Sequence, residues 1–309
     1  MFLSRTQGKT DIHRVRPDGT GLSSLTVFPA QQYSSPVWSP DGSKIAFTSN
    51  READLRPRLE PTPPPINYGS GPPPDFPEAA PQPELYVMNA DGSGQKRLTF
   101  NVTFDGNPTW SPDGLRLAFQ SRDDGDHEIY VINVDGTGLT KLTDNEYADL
   151  LPAWSPDGRH IAFTSNRNKT AFGNELAKTR RQEFTTTLSS SATDFDIYLM
   201  APDGSGVFNW TQISNTNDSN AAWSPDGDWI AYEGRDVYGF SLRQGNNEIY
   251  LMRREGLDRA LTKLTSSQTY NTDENVGPVV WSPDGKNIAF VTERDGTKRI
   301  QAVRVFRPS

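Results

Sequence analysis

No cysteine occurs among the 309 residues. Disulfide frameworks and thiolate metal sites are thereby excluded, and cysteine usage leaves the redox compartment unread. Histidine is scarce too. His13, His127 and His160 are the whole complement, and they fall at unlike places in the pattern described below, so a three-histidine metal centre is not expected. Basic residues are outnumbered, 31 Lys and Arg against 39 Asp and Glu, for a formal charge of −8. A nucleic-acid partner, which needs a basic footprint, is not expected on that ground. No apolar run approaches the roughly 20 residues that span a bilayer, so no transmembrane segment is expected. The opening "MFLSRTQGKTD" lacks the basic start and long apolar centre of a secretory signal, and no signal peptide is read in this chain. Neither a G-x-S-x-G elbow nor a glycine-rich phosphate loop is found, which removes the serine-hydrolase and nucleotide-binding readings.

What the chain has is repetition. "PVWSPDGSKIAFTSNR" (Pro36 to Arg51) returns as "PTWSPDGLRLAFQSR" (Pro108 to Arg122), "PAWSPDGRHIAFTSNR" (Pro152 to Arg167), "AAWSPDGDWIAYEGR" (Ala221 to Arg235) and "VVWSPDGKNIAFVTER" (Val279 to Arg294). A catalytic motif is needed once, whereas five copies mark a repeat whose units cover one another's apolar faces. The short apolar runs such as "KIAF" and "RLAF" read as strands. Ser-Pro-Asp-Gly reads as the turn before them: Pro presets φ, Asp bonds backbone two residues on, and Gly accepts positive φ. The Trp is the expected large buried anchor on the strand ahead of the turn. Trp110, in that position, should be costly to remove. Trp210 and Trp229, outside it, are expected to matter less.

A second refrain follows each copy: "ELYVMNADGSGQKRLT" (Glu84 to Thr99), "EIYVINVDGTGLTKLT" (Glu128 to Thr143), "DIYLMAPDGSG" (Asp196 to Gly206) and "EIYLMRREGLDRALTKLT" (Glu248 to Thr265). Alternating apolar positions, an Asp-Gly turn and a return ending in Leu-Thr make a second hairpin. Each unit is thus a four-stranded antiparallel meander, strands A to D. Several such sheets set radially give an all-β propeller, which repeats while leaving few free edges.

The alternation of "WSPDG..IAF" with "(D/E)IYVMN.DGSG...LT" resembles the TolB-type propeller repeat (PD40), a distant relative of the WD40 family. The resemblance implies a six-bladed propeller as one domain over residues 1–309, in a periplasmic or other extracytoplasmic setting. Six blades can be counted. The first, Met1 to Thr26, supplies B, C and D without A, and the last, Asn287 to Phe306, supplies B and C after Trp281 without D, so first and last blades are expected to be incomplete.

The Trp-to-Trp spacings are 72, 44, 69 and 58 residues. Relative to the shortest, three blades carry extra residues, all between strands B and C. Because strands alternate direction, those loops share a face with the D-to-A connections, and loops on a rigid scaffold are where binding residues concentrate. One insertion is proline-rich, residues 55–83, and should be extended or polyproline-like. Another, residues 168–193, is polar, with Lys178, Arg180 and Arg181 followed by a Ser/Thr-rich return.

Strand A of a propeller lines the central channel and starts on that loop-rich face. Five residues before their Trp stand Asp105, Asp149 and Asp218, with Tyr33 in the same place in another blade and Asp273 and Glu274 slightly further upstream of Trp281. Two roles fit these residues. They could converge as an electronegative channel mouth that binds Ca²⁺ through Asp105, Asp149 and Asp218, or binds basic groups of a partner. Alternatively, each Asp caps its own turn. The Arg that closes each B strand (Arg5, Arg51, Arg122, Arg167, Arg235, Arg294) recurs with an acid opening strand C (Asp11, Glu84, Glu128, Asp196, Glu248), which reads as a structural cross-hairpin pair. The expected function is a monomeric, non-enzymatic scaffold that binds a protein or peptide, with Ca²⁺ as a possible cofactor. The alternative is a propeller-type Ca²⁺-assisted lyase or hydrolase.

Overall fold

Each Ser-Pro-Asp-Gly folds into the same turn. In the first copy the Ser39 hydroxyl donates to Asp41 at 2.6 Å, and the Asp41 carboxylate accepts the Ser43 amide at 3.0 Å. Gly42, Gly114, Gly158, Gly227 and Gly285 sit at φ of 68, 70, 71, 75 and 65°, the left-handed region that favours glycine. These hydrogen bonds hold the Asp41 carboxyl down at about 2.

The computed structural model describes residues 1–6, 9–26, 33–51, 82–101, 103–123, 125–167, 195–211, 216–236, 247–254, 261–265, 274–275, 278–294 and 297–306. The polar insertion, all of the proline-rich one except Gln82 and Pro83, and Asp273 lie outside them. Every regular element among the described residues is a strand.

Blade 1 is β1 (Phe2–Thr6), β2 (Lys9–Arg14) and β3 (Ser23–Ser24). Blade 2 is β4 (Tyr33–Trp38), β5 (Lys44–Ser49), β6 (Glu84–Asn89) and β7 (Lys96–Arg97). Blade 3 is β8 (Asp105–Trp110), β9 (Arg116–Ser121), β10 (Glu128–Asn133) and β11 (Thr140–Lys141). Blade 4 is β12 (Asp149–Trp154), β13 (Ile161–Ser165), β14 (Asp196–Met200) and β15 (Phe208–Asn209). Blade 5 is β16 (Thr216–Trp223), β17 (Trp229–Asp236), β18 (Asn247–Arg253) and β19 (Thr262–Lys263). In blade 6 the A strand is divided into β20 (Glu274–Asn275) and β21 (Val280–Trp281). Both pair with β22 (Asn287–Arg294), which pairs with β23 (Thr297–Arg304). All pairings are antiparallel, and the six sheets form a six-bladed β-propeller.

The A strands of successive blades lie side by side, β4 on β8, β8 on β12, β12 on β16 and β16 on β21, which puts them around the centre. Neighbouring blades meet in five apolar clusters with one recipe. At the junction of blades 2 and 3, Ala46, Leu85 and Val87 of one sheet receive Trp110, Leu117, Phe119 and Tyr130 of the next. The period-2 alternation of each strand thus places one apolar set on each face of the sheet, because both faces are covered. Burying each Leu or Phe of this kind contributes about 1.5–3 kcal/mol. The repeat tryptophans also reach across the junction: the Trp110 indole N–H donates to the Val37 carbonyl at 3.1 Å, and that of Trp223 to Ala153 at 3.0 Å.

Trp210 and Trp229 depart from expectation. Trp210 is fully buried at the junction of blades 4 and 5 because it holds the Leu place of Leu-Thr, followed by Thr211 as Leu98 is by Thr99. Trp229, at the head of β17, is buried against blade 6.

The Leu-Thr signature has its own reason. In five blades the Thr hydroxyl oxygen accepts the backbone N–H of the residue that follows the strand C acid, at 2.9 Å for Leu85 to Thr99 and Ile129 to Thr143. The same hydroxyl donates to the acid that opens strand C in Thr26–Asp11, Thr143–Glu128 and Thr265–Glu248. Strand D adds a cation, Arg97 to Glu84 at 2.9 Å. The arginines that close strand B have varied partners. Arg167 pairs with Asp149 of strand A at 2.5 Å, and Arg235 donates to Asn247 at 2.8 Å.

Candidate functional site

The residue five before the repeat Trp couples one blade to the one before it. The Asp105 amide donates to the Pro83 carbonyl at 2.9 Å, Asp149 to His127 at 2.7 Å and Asp218 to Phe195 at 2.7 Å. Each acceptor immediately precedes strand C of the previous blade. The side chains turn inward: Asp105, Asp149 and Asp218 are 0 % exposed and Tyr33 is 1 % exposed, so they form part of the wall and not an open charged rim. Among the described residues no three His, Asp or Glu side chains stand together as metal ligands. Asp105, Asp149 and Asp218 therefore do not come together as one ligand set. Glu274 opens β20 and pairs with Glu293.

The partners of these carboxylates belong to the blades. Asn101 donates to both oxygens of Asp105 at 3.1 and 3.0 Å. Burial pushes the Asp105 carboxyl up, against the hydrogen bonds it accepts, those of Asn101 among them. Asp149 accepts from Asn145 at 3.0 Å and from Arg167, and on its other side lies Glu128 of the preceding blade. Glu128 accepts the Thr143 hydroxyl and the Asn145 amide. Burial first, and the adjacent Asp149 carboxylate as well, push Glu128 up to about 7.

This has a pH consequence. An acid whose folded pKa exceeds its unfolded value keeps its proton in the folded protein after the unfolded chain has released it. Stability should therefore fall as pH rises from about 4.5 toward 7 and level off above that, with Asp105 contributing in the same direction. Glu128→Gln should flatten much of this fall in urea midpoints taken across the range. An unchanged slope would show that Glu128 does not carry it.

Two residues into strand A lies a feature the motif reading passed over. Ser35, Asn107, Leu151 and Asn220 all have left-handed backbone, at φ of 49, 52, 53 and 55°. All four occupy the same place, three before the Trp, and in each blade the A–B register slips there, between Ser34 and Val37, Gly106 and Thr109, Leu150 and Ala153, and Ser219 and Ala222. A bulge of this kind leaves backbone groups of the inner strand unpaired with their neighbour. The sequence carried a signal for it in Pro36, Pro108 and Pro152, because proline cannot donate to a ladder. The bulges are linked across blades. The Ser35 hydroxyl donates to Asn107 at 3.1 Å, the Asn107 amide donates to Gln120 at 3.0 Å, and Gln120 accepts the Leu151 N–H at 2.9 Å. Blades 2, 3 and 4 thus share one polar network on the inner wall.

Left-handed backbone suits Asn and strains Leu by about 1–2 kcal/mol. Leu151→Asn should therefore raise stability by about 0.5–1 kcal/mol by relieving that strain. A drop in the denaturant midpoint would mean that packing of the Leu side chain outweighs it.

Six radial sheets around a wall of bulged inner strands define a six-bladed β-propeller, and its repeat is of the TolB type. The profile of the TolB beta propeller domain family (PD40) matches residues 82–174. Dipeptidyl-peptidase 5 of Porphyromonas gingivalis is 33% identical over 244 residues, which is 69% of this chain and 34% of that protein. The Tol-Pal system protein TolB of Gluconobacter oxydans is 40% identical over 88 residues, 28% of this chain and 13% of that protein. The chain thus spans about a third or less of these curated relatives. The crystal structure of TolB from Acinetobacter baumannii superimposes with a TM-score of 0.61 at 17% identity, covering 96% of this chain and 60% of that one. No helix among the described residues is long and apolar enough to cross a membrane.

Proposed function

We propose that this propeller is a non-enzymatic scaffold that binds a protein or peptide at the loop-rich end of its channel. The observation that carries the reading is the ring of bulges at Ser35, Asn107, Leu151 and Asn220, two residues inside that end. Strained backbone clusters where function needs it, and unpaired backbone groups beside Ser, Asn and Gln side chains suit the amides of a polypeptide. Similarity to a dipeptidyl-peptidase and to TolB supports a polypeptide as the ligand class, and similarity to TolB supports a periplasmic setting. The lyase or hydrolase reading has less support, because Asp105 and Asp149, two of the three aspartates it would use with Asp218, are engaged by their own and neighbouring blades.

The test is retention of a partner from extract by the wild type and by a Ser35→Gly, Asn107→Gly, Asn220→Gly variant. Glycine keeps the left-handed backbone and removes the polar side chain. Retention should drop about tenfold, the loss that corresponds to about 1.4 kcal/mol. Equal retention would overturn the placement of the site.

A further inference from the structure

Blades 2 and 4 each seat an arginine on their inner aromatics. In blade 2 the Arg51 guanidinium lies over the stacked rings of Tyr86 and Phe47, 4.1 and 5.9 Å from their centroids. In blade 4 the Arg167 guanidinium lies 5.1 Å from the centroids of both Phe163 and Tyr198. It also donates through Nε to the Ser165 hydroxyl at 3.1 Å and pairs with Asp149 at 2.5 Å. A planar cation is thus held on an aromatic pair by a serine and by the strand A aspartate, an arrangement that suits guanidinium better than ammonium.

Blade 3 keeps the parts of that seat without the arginine. Its ring pair is Phe119 and Tyr130, with centroids 5.8 Å apart against 5.7 Å for Phe163 and Tyr198. By register its aspartate is Asp105 and its serine Ser121, as Asp149 and Ser165 are in blade 4. One residue makes the difference. Blades 2 and 4 read Ser-Asn-Arg at the end of strand B, which puts Arg51 and Arg167 four places beyond the aromatic, whereas blade 3 reads Ser-Arg-Asp. Odd and even steps along an extended chain leave it on opposite faces. Arg122 accordingly turns outward, where its Nε donates to the Gly125 carbonyl at 2.9 Å, and Asp123 takes the arginine's place in the order of residues.

The remaining groups of blade 3 are those that elsewhere face a cation. The Ser121 hydroxyl, whose counterpart in blade 4 accepts from Arg167, is buried at 1 % exposure and has no hydrogen-bond partner among the described residues. Asp105 is held by Asn101 and by no cation among the described residues, and the Asp123 carboxylate opposes its ionisation. Tyr130 is 8 % exposed where Tyr86 and Tyr198 are 0 and 2 % exposed. Asp123 is exposed, so the seat is approached from the loop-rich end. We infer that Asp105, Ser121, Phe119, Tyr130 and Asp123 form a binding seat for the guanidinium of an arginine carried by a ligand. That this arginine belongs to a polypeptide rests on the scaffold reading above; the seat itself does not.

The probe is N-acetylarginine amide, titrated into the full chain. It should bind saturably, one per chain, in the millimolar range of a single side chain, and raise the melting temperature as a ligand of the folded state must. N-acetylcitrulline amide, which keeps the planar shape and lacks the charge, should bind at least about tenfold more weakly. Asp123→Arg supplies the guanidinium from the chain itself; it should raise the urea midpoint and weaken the probe at least about tenfold. Ser121→Ala should weaken the probe as well and leave the midpoint in place or higher, because the hydroxyl it removes is buried and unpaired. Arg122→Ala should bind the probe as the wild type does. So should the channel variant Ser35→Gly, Asn107→Gly, Asn220→Gly, which lets the seat and the placement of the site at the bulges fail independently. No saturable binding, equal binding of the citrulline compound, binding undiminished in both Asp123→Arg and Ser121→Ala, or tighter binding by Arg122→Ala would each overturn the proposal.

Discussion

Trp210→Ala is expected to lower stability by about 3–5 kcal/mol, the range for truncating a large aromatic in a packed core. That is as much as Trp110→Ala, although Trp210 lies outside the "WSPDG" position. Its side chain is fully buried among Leu199, Trp223, Tyr232 and Tyr250, and its ring meets Tyr232 edge-on with centroids 6.0 Å apart. The neighbouring strands come from two blades, so they cannot close over the space without opening the junction. Trp210→Leu restores the residue that other blades use before Thr and should recover part of the loss. The measurement is the urea midpoint of Trp110→Ala, Trp210→Ala and Trp210→Leu at constant slope. A Trp210→Ala midpoint close to that of the wild type would remove Trp210 from the core.

Asp149→Asn should destabilise the protein by about 3 kcal/mol, because removing one member of a buried ion pair leaves the other without compensation. Arg167 lies against Phe163 and Tyr198, 5.1 Å from each ring centroid, and holds the Asp149 carboxylate from within this apolar setting. In an electronegative channel mouth, the first of the two roles the spacing allows, like charges would repel one another and neutralising one would be neutral or favourable. The observed partners reverse the sign. Arg167→Met alone should cost a similar amount, while Asp149→Asn combined with Arg167→Met should cost less than the two single changes added together, since neither charge is then left alone. Millimolar calcium should leave the wild-type midpoint where it is. A calcium-dependent rise that Asp149→Asn abolishes would restore the carboxylate as a ligand.

The carboxylates show where reading by spacing stopped. The Trp-to-Asp interval located the start of strand A for Asp105 and Asp149, each of which opens its strand, and fell two residues inside β16 for Asp218. Spacing along a strand says nothing about which way a side chain leaves the sheet edge or what lies in the next blade. Asp149 touches Glu128, 21 positions earlier, and Arg167, 18 positions later, and neither contact is implied by the motif. The bulge positions were visible as Pro36, Pro108 and Pro152, but a proline before Trp could equally mark a strand edge. Their left-handed partners became recognisable only once the A–B register was seen to slip.

Local chemistry determined much of this protein from the chain alone. The Ser-Pro-Asp-Gly and Asp-Gly turns, the strands between them, the four-stranded unit and the count of six blades are encoded within stretches of about 20 residues, because turn geometry and period-2 alternation are short-range properties. The junctions were decided elsewhere. Which Trp is core and how Ser35, Asn107 and Leu151 join one network depend on side chains brought together from different blades, and only the radial packing of sheet on sheet supplies those neighbours.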